Sequence, residues 1–256
     1  MKISIAGYGF VGKAYAAILQ NYHEVEIIDP KHYDRKVSDD TDGVIVCVPT
    51  PEGNNGSCNM RHVSEVMRDC PDVPILIKST ISMEGWDHLS SFYEKRMSYS
   101  PEFLRANTAL EDLRQQELIM IGGAETDFWS NIFKQVFPSC PHIIEADPKE
   151  LILIKYFRNA FLATKVSFFN QIYDLCKASS IDYEHVRKGI ALDKRIGTSH
   201  TLVTKERGFG GHCFPKDIKA MKQSALYYGV DLTIIREAIQ YNETLKDEKK
   251  DEDKKN

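Results

Sequence analysis

Gly7-Tyr8-Gly9-Phe10-Val11-Gly12 is the stretch of the sequence that decides the fold. It directly follows a short apolar run, Lys2–Ala6, and opens a segment, Val11–Asn21, whose apolar residues recur at helical spacing. A glycine-rich turn between a strand and a helix is typical of the first βα unit of a doubly wound sheet. The pattern therefore predicts an α/β fold that begins with a Rossmann-type domain.

The segments that follow this turn continue the alternation of strands and helices. Further strands are predicted at Val25–Asp29, Gly43–Val48, Ile75–Lys78, Met97–Tyr99, Leu118–Ile121 and Ile143–Glu145. Helices are predicted between them at Asn59–Cys70, Glu84–Arg96 and Thr126–Phe137. Most of the strands are nearly continuous apolar runs, which fit strands buried on both faces. We therefore predict a doubly wound, largely parallel sheet covered by helices, formed by residues 1–146.

The second half of the sequence lacks strand patterns. After Asp147-Pro148-Lys149, residues Glu150 to Ser179 form one long helical pattern without glycine or proline. Shorter helices are predicted at Tyr183–Leu192, Pro215–Tyr228 and Asp231–Lys246. We predict a small all-helical domain at residues 147–245 and a charged tail at residues 246–256, which is a disordered segment or a frayed helix end, with disorder favoured. The long helix has more apolar surface than so small a domain covers, so we expect a homodimer.

The composition favours a small-molecule partner. With a formal net charge of −4 at pH 7, the chain has no overall basic character, so neither nucleic acid nor an anionic membrane is expected as a partner. No apolar run approaches the length of a membrane span, and the N-terminus lacks the pattern of a secretory signal. The six cysteines are scattered without a CxxC pair, as expected for reduced thiols in a cytoplasmic protein. We expect no metal site.

The glycine turn and the second strand together predict a dinucleotide site. Gly7 allows a tight turn, Gly9 removes a side chain where a pyrophosphate approaches the backbone, and Gly12 lets helix and strand pack closely. Asp29 ends the second strand, where a carboxylate accepts a hydrogen bond from a ribose hydroxyl and repels a 2′-phosphate. These features favour NAD over NADP. A turn that binds nothing and a site for FAD are the alternatives.

Two loops that follow strand ends extend this predicted site, because cofactors lie at that edge of a parallel sheet. They are Val48-Pro49-Thr50-Pro51 and Lys78-Ser79-Thr80, and Thr80 is the expected neighbour of the nicotinamide. The expected cofactor contacts are Gly7, Gly9, Phe10, Val11, Gly12, Asp29, Thr50 and Thr80.

The most distinctive segment is Gly208-Phe209-Gly210-Gly211-His212-Cys213-Phe214-Pro215-Lys216-Asp217, a glycine-rich loop that leads into a helix predicted to begin near Pro215. Cys213 precedes the positive end of that helix, which favours the thiolate, as does nearby Lys216. Asp217 lies four residues further on, and shares a face with the sulfur if the helix includes both. The pattern favours a nucleophilic cysteine, whereas the other five cysteines fit the usual role of small buried hydrophobic residues.

Lys155 and Asn159 form a second pair of polar residues, one turn apart on the apolar long helix. A lysine and an amide near a reacting carbonyl stabilise its developing negative charge. Exposed lysine and asparagine residues are also ordinary on helices, and that interpretation is the alternative.

Seven motifs occur in the order found in the UDP-glucose and GDP-mannose dehydrogenases, and the chain resembles that family over nearly its whole length. The motifs are Gly7–Gly12, Val48–Pro51, Lys78–Thr80, Ser100–Arg105, Lys155 with Asn159, Asp193–Gly197 and Gly208–Asp217. The resemblance implies a four-electron oxidation of a sugar 6-hydroxyl to a carboxylate, with two NAD per sugar and UDP-glucose as the favoured substrate.

The resemblance also assigns roles to residues. Cys213 would form a thiohemiacetal and then a thioester, while Lys155 and Asn159 stabilise the oxyanion. Glu102 would act as acid or base, and Asp217 with Thr80 would position water. The implied substrate contacts are Phe103, Leu104, Arg105, Lys155, Asn159, Arg195 and Gly210, with Arg195 reaching a diphosphate in the neighbouring subunit.

The sequence departs from this family pattern in ways that keep alternatives open. The family usually continues into a third, Rossmann-like domain that binds the nucleotide, and we expect a short form without it. Residues 200–207 match no family motif, and Arg158 stands where a small residue is usual. One alternative is a β-hydroxyacid dehydrogenase, which uses Lys155 and Asn159 without a cysteine nucleophile. The other is a non-catalytic subunit that binds NAD or a nucleotide sugar.

Overall fold

The computed structural model of the protein describes residues 1–31, 36–211 and 214–253, with only the backbone for residues 248–253. The chain divides into two compact units. Unit 1 comprises Met1–Gly53 and Cys58–Lys155, and unit 2 comprises Asn54–Ser57 and Tyr156–Asn256. The division falls after Lys155, inside the long helix, whereas the sequence predicted a boundary before this helix. The first turns of the helix are grouped with unit 1 by their contacts, and the remainder with unit 2.

Unit 1 is built on a seven-stranded sheet with the order β2-β1-β3-β4-β5-β6-β7. The strands are β1 (Lys2–Ala6), β2 (Glu24–Ile28), β3 (Gly43–Val46), β4 (Ile75–Ile77), β5 (Met97–Tyr99), β6 (Leu118–Gly123) and β7 (His142–Glu145). All neighbouring pairs are parallel except β5 and β6, which are antiparallel. The predicted doubly wound α/β fold is confirmed, with this one reversal in strand direction.

The helices of unit 1 cover this sheet. They are α1 (Phe10–Leu19), α2 (Arg61–Asp69), α3 (Met83–Phe92), α4 (Ala109–Arg114) and α5 (Thr126–Val136). The sequence missed α4, which is too short to show helical periodicity, and extended α3 to Arg96, although Tyr93 is already in the extended conformation. The core includes Ile5, Tyr15, Trp129 and Phe133, all essentially inaccessible to solvent. Burial of these large side chains is the main force that holds helices to sheet.

Unit 2 is helical. Its helices are α6 (Pro148–Ala178), which begins in unit 1, α7 (Tyr183–Ala191), α8 (Phe214–Tyr227) and α9 (Thr233–Asp253). A small core joins Ala160, Phe209, Ile218 and Ile239. Helix α9 continues through Asp253, where the sequence predicted a disordered tail, because the lysines and glutamates there have high helix propensity and no glycine or proline stops them.

Two global features bear on function. Among the helices described, none has both the length and the apolar character needed to span a bilayer. Among the described residues, Cys47, Cys70, Cys140 and Cys176 are free thiols, whereas the Sγ of Cys58 donates a hydrogen bond to the carbonyl oxygen of Thr80.

Candidate active site

The glycine turn between β1 and α1 has two glycines that the fold requires and one that it does not. Gly7 has φ +98°, and a Cβ there would lie 2.6 Å from the carbonyl oxygen of Cys47. A Cβ at Gly12 would lie 2.0 Å from the carbonyl oxygen of Gly7, so helix and turn could not pack. A Cβ at Gly9 would meet no described atom within 4 Å. Open space at Gly9 is what a ligand that approaches the backbone needs.

The N-terminus of α1 fits an anionic ligand. No side chain caps it at Gly9, and its first turn, which begins with Phe10 and Val11, holds no acidic residue. The first amide groups of a helix carry a partial positive charge, which favours phosphate oxygens. Turn and helix therefore fit the pyrophosphate of a dinucleotide.

Asp29 lies beside this turn. Its Oδ2 accepts a 2.7 Å hydrogen bond from the backbone N–H of Tyr8, and its Oδ1 accepts one of 2.9 Å from the N–H of Lys31. These two amides fix the carboxylate at the end of β2. A carboxylate has further lone pairs, so it can also accept from a ribose hydroxyl.

The two loops after β3 and β4 are joined through Thr50 and Thr80. The hydroxyl of Thr50 donates a 2.7 Å hydrogen bond to the carbonyl oxygen of Thr80, and the Sγ of Cys58 donates to the same oxygen at 3.3 Å. Ser79 Oγ donates to the carbonyl oxygen of Val48 at 2.8 Å. The Thr50 hydroxyl therefore links the two loops by a hydrogen bond. The same bond holds the backbone at Thr80 in place.

Glu102, just after β5, belongs to a buried cluster of polar groups. Its Oε2 lies 3.2 Å from Nζ of Lys78, with the two side chains only 10% and 2% exposed, respectively. Its Oε1 accepts a 3.0 Å hydrogen bond from the N–H of Phe103. Lys78 also donates to Ser100 Oγ at 3.0 Å and to the carbonyl oxygen of Pro101 at 3.3 Å. The predicted acid or base therefore sits in a preorganised setting.

Tyr15 and Cys47 border this cluster. Burial raises the pKa of Tyr15 well above its usual range, and the charge of Glu102 adds to the effect. Burial likewise raises the pKa of Cys47 to about 12, with Lys78 opposing the shift and Glu102 adding to it. Sequence reasoning missed Lys78 and Tyr15 here. The available signal was a lysine directly after an entirely apolar strand, where its ammonium group is buried.

Lys155 lies in the same unit as Glu102 and is 8% exposed. Its Nζ donates to the main-chain carbonyl oxygen of Glu102 and lies 5.3 Å from the centre of the Phe103 ring. The alternative of an ordinary exposed lysine is wrong for this residue. Leu104 packs against the core of the sheet.

Arg105, predicted to contact substrate, is engaged elsewhere. It pairs with Asp112 on α4, with Nη2 2.5 Å from Oδ1, and its side chain is 77% exposed. This hydrogen-bonded pairing raises the pKa of Arg105 and holds that of Asp112 far below its usual range. In this conformation Arg105 stabilises the turn before α4, and a substrate contact would require it to leave Asp112.

In unit 2, Asn159 and Asp217 form the central polar pair. The side-chain amide of Asn159 donates a 2.7 Å hydrogen bond to Oδ2 of Asp217, which is 1% exposed. Nζ of Lys216 lies 2.8 Å from Oδ1 of the same carboxylate. Lys216 therefore forms an ion pair with Asp217. Cys213 and His212 lie outside the described residues, so the nucleophile stays a prediction.

Arg195 and Gly210 complete the predicted substrate contacts. Arg195 pairs with Asp193 through two nitrogen atoms, at 3.0 and 2.5 Å, and its side chain is 89% exposed. A Cβ at Gly210 would meet no described atom within 4 Å. Within the described ranges, no group of three or more His, Cys, Asp or Glu side chains could hold a metal ion.

The loop that leads to Cys213 is anchored by asparagines that sequence reasoning missed. Asn242 on α9 accepts from the N–H of Phe209 at 2.7 Å and donates to its carbonyl oxygen at 3.1 Å. Asn170 on α6 accepts from Nε of Arg207 at 2.9 Å and from the N–H of Gly208 at 3.1 Å. Arg207 adopts φ 53°, a strained backbone for a non-glycine residue. These bonds hold residues 207–209 between two helices.

Comparison with known families matches most of the chain in two parts. The model for the NAD-binding domain of the UDP-glucose/GDP-mannose dehydrogenase family matches residues 30–140. The model for the central domain of the same family matches residues 149–244.

Individual proteins give the same picture. The chain is 32% identical over 216 residues to UDP-glucose 6-dehydrogenase of Pseudomonas aeruginosa, covering 77% of this chain and 47% of the relative. It spans about half the length of the curated relatives that it matches. A UDP-glucose dehydrogenase from Pyrobaculum islandicum has a similar structure, with a TM-score of 0.81 and 26% identity over 95% of this chain and 68% of that chain.

A 3-hydroxyisobutyrate dehydrogenase from Mycobacterium tuberculosis also has a similar structure, with a TM-score of 0.69 over 95% of this chain and 93% of that chain. At 16% identity this likeness shows the fold alone. The fold therefore does not distinguish the two kinds of dehydrogenase, and the site residues must.

Proposed function

Because this chain belongs to the UDP-glucose/GDP-mannose dehydrogenase family, we propose that it oxidises the 6-hydroxyl group of a nucleotide sugar to a carboxylate with NAD. UDP-glucose is the first candidate substrate, since the relative from P. aeruginosa is a UDP-glucose 6-dehydrogenase. The observation that carries the proposal is the buried bond between Asn159 and Asp217. A carboxylate fixed four residues after the cysteine is suited to positioning water for hydrolysis of a thioester, a step that a simple hydroxyacid dehydrogenase does not include.

Unit 1 is an NAD-binding domain. The amides at the N-terminus of α1 and the open space at Gly9 support binding of the pyrophosphate, and Asp29 supports binding of the ribose hydroxyls. Bound NAD supplies the hydride acceptor. Because a carboxylate repels a 2′-phosphate, we expect calorimetric titration to give tighter binding for NAD than for NADP. Equal affinities would contradict the role of Asp29.

The first oxidation needs a base for the proton of the 6-hydroxyl. We assign this role to Glu102, whose carboxylate is already oriented by the N–H of Phe103 and by Lys78. Removal of the proton leaves negative charge on the oxygen, and this charge moves into the C=O bond as the hydride leaves carbon and the alcohol becomes an aldehyde. The ammonium of Lys155 and the amide of Asn159 are the assigned oxyanion stabilisers.

The second oxidation proceeds through sulfur. The thiolate of Cys213 adds to the aldehyde carbon, forming a C–S bond and a thiohemiacetal. Loss of a second hydride and of the hydroxyl proton gives a thioester. Water, positioned by Asp217 and Thr80, then attacks the carbonyl carbon, and the C–S bond breaks to release the carboxylate and the thiolate. In total one alcohol, one water and two NAD give one carboxylate, two NADH and three protons.

Absorbance of NADH tests the proposal directly. The full chain is incubated with NAD and a panel of UDP- and GDP-sugars, and the NADH formed is divided by the sugar consumed. We expect two NADH per sugar with at least one member of the panel. One NADH per substrate would favour a β-hydroxyacid type of reaction, and binding without NADH formation would favour a non-catalytic subunit.

A further inference from the structure

The most unusual charged group in unit 1 is the ammonium of Lys78. Its side chain is 2% exposed, and an isolated charge so deeply buried is costly unless it is paired. The only carboxylate described within 4 Å of Lys78 Nζ is that of Glu102.

The ammonium group of Lys78 makes hydrogen bonds to some groups and an ion pair with another. Its Nζ directs hydrogen bonds to Ser100 Oγ and to the carbonyl oxygen of Pro101, at 3.0 and 3.3 Å. It lies 3.2 Å from Oε2 of Glu102, for which the described residues supply no well-formed hydrogen bond, although the hydroxyl of Tyr15 also faces this carboxylate. Oε2 therefore has an ionic neighbour and still keeps a free lone pair. A base requires both, because it must be ionised and able to receive a proton.

Two other groups that face Glu102 do not supply this charge. Tyr15 on α1 and Cys47 after β3 stay neutral, since burial raises the pKa of both. Lys155 on α6 donates to the main-chain carbonyl oxygen of Glu102. Lys78 Nζ also lies 5.0 Å from the centre of the Tyr15 ring, whose π face adds a weak attraction that holds the ammonium in place.

We propose that Lys78 is the positioning residue of Glu102: anchored by Ser100 and Pro101, it keeps the buried carboxylate ionised and leaves Oε2 free to take the substrate proton. Lys78 touches neither substrate nor cofactor in this role. The inference rests on the proposed function for its catalytic meaning, but the effect of Lys78 on the ionisation of Glu102 can be measured without turnover.

The test compares Lys78→Met with Lys95→Met, a matched control that removes another partly buried lysine of unit 1, whose Nζ donates only to the carbonyl oxygen of Cys70. Lys78→Met should lower kcat roughly tenfold or more, leave the Kd for NAD near the wild-type value, and move the acid limb of the kcat profile to higher pH. Lys95→Met should change none of these. Unchanged kcat and pH profile in Lys78→Met would overturn the proposal.

Infrared spectra keep the test independent of turnover. The bands of Glu102 are assigned by their loss in Glu102→Gln, and Lys78→Met should show at pH 7 a protonated carboxyl band that the wild type lacks. If the wild type forms no NADH with any nucleotide sugar, the proposed function fails while this measurement still decides the Lys78 inference.

If Lys78→Met does not fold, Ser100→Ala removes one anchor at little steric cost. It should show the same changes to a smaller extent, and wild-type spectra and kcat in Ser100→Ala would contradict the inference.

Discussion

Asn159 donates a 2.7 Å hydrogen bond from its side-chain amide to Oδ2 of Asp217, which is 1% exposed, and so joins α6 to the start of α8. A buried hydrogen bond to a charged group contributes about 1.5–3 kcal/mol. We expect Asn159→Ala to lower the free energy of urea unfolding by that amount. Asn21→Ala is the matched control, because the Asn21 amide bonds only to carbonyl oxygens near it in sequence and its side chain is exposed. Equal losses in the two variants would contradict the importance of the pair.

Two glycines of the turn between β1 and α1 allow cofactor binding and folding to be tested separately. Gly9→Ala should fold normally, because its φ of −75° suits alanine and the new Cβ meets nothing within 4 Å, but should bind NAD about tenfold or more weakly. Gly12→Ala should lose stability outright, since its Cβ would lie 2.0 Å from a backbone oxygen. Circular dichroism and calorimetric titration measure the two effects. Wild-type affinity for NAD in Gly9→Ala would show that the cofactor does not occupy this space.

The anchor of the cysteine loop gives a third prediction. Asn242→Ala removes two buried hydrogen bonds to the backbone of Phe209 and leaves its amide and carbonyl unpaired. The cost of such unsatisfied groups is about 1–3 kcal/mol each. Urea unfolding should show this loss for Asn242→Ala and almost none for Thr244→Ala, whose exposed hydroxyl bonds within α9. Comparable stability in the two variants would argue against an anchoring role.

The apolar face of α6 in unit 2 gives a fourth prediction. Phe161, Phe168 and Leu175 are 68%, 57% and 69% exposed and recur every seven residues, so they share one face of the helix. Because exposed apolar surface of this kind favours association, we expect light scattering to show a homodimer that Phe161→Ser weakens. Phe92→Ser, which removes an equally exposed ring from α3, should leave the mass unchanged. A monomer at micromolar concentration would refute the dimer.

Local patterns were sufficient to predict most of the fold. Glycine placement and the spacing of apolar side chains within a short window predict the strand at Lys2–Ala6, the glycine turn and the long helix. The direction of β6 was not predictable in this way, because Ser98 pairs with Gly123 only after the intervening chain has folded back. At the end of α9, charge content alone does not distinguish a solvated helix from a disordered tail, so the sequence left both interpretations open.

In the candidate site, residues that belong to a motif can be singled out from the sequence, whereas their distant partners cannot. Glu102 and Asp217 belong to recognisable motifs, and the structure gives each of them buried polar neighbours. Lys78 is 24 residues from Glu102, and Asn242 is 33 from Phe209. Such pairs form only through the sheet or through helix packing, so no window of sequence contains both members.

Cys213 is proposed to carry the sugar through a thioester to the acid, and the number of NADH formed per sugar by Cys213→Ser and by the wild type measures this role. The wild type should give two. The serine variant should bind NAD normally, since the NAD-binding domain is unit 1, but should not complete the second oxidation, because serine forms no labile thioester. Intact-protein mass spectrometry of this variant should search for a stalled ester adduct. Formation of two NADH per sugar by Cys213→Ser at the wild-type rate would show that Cys213 is not the nucleophile.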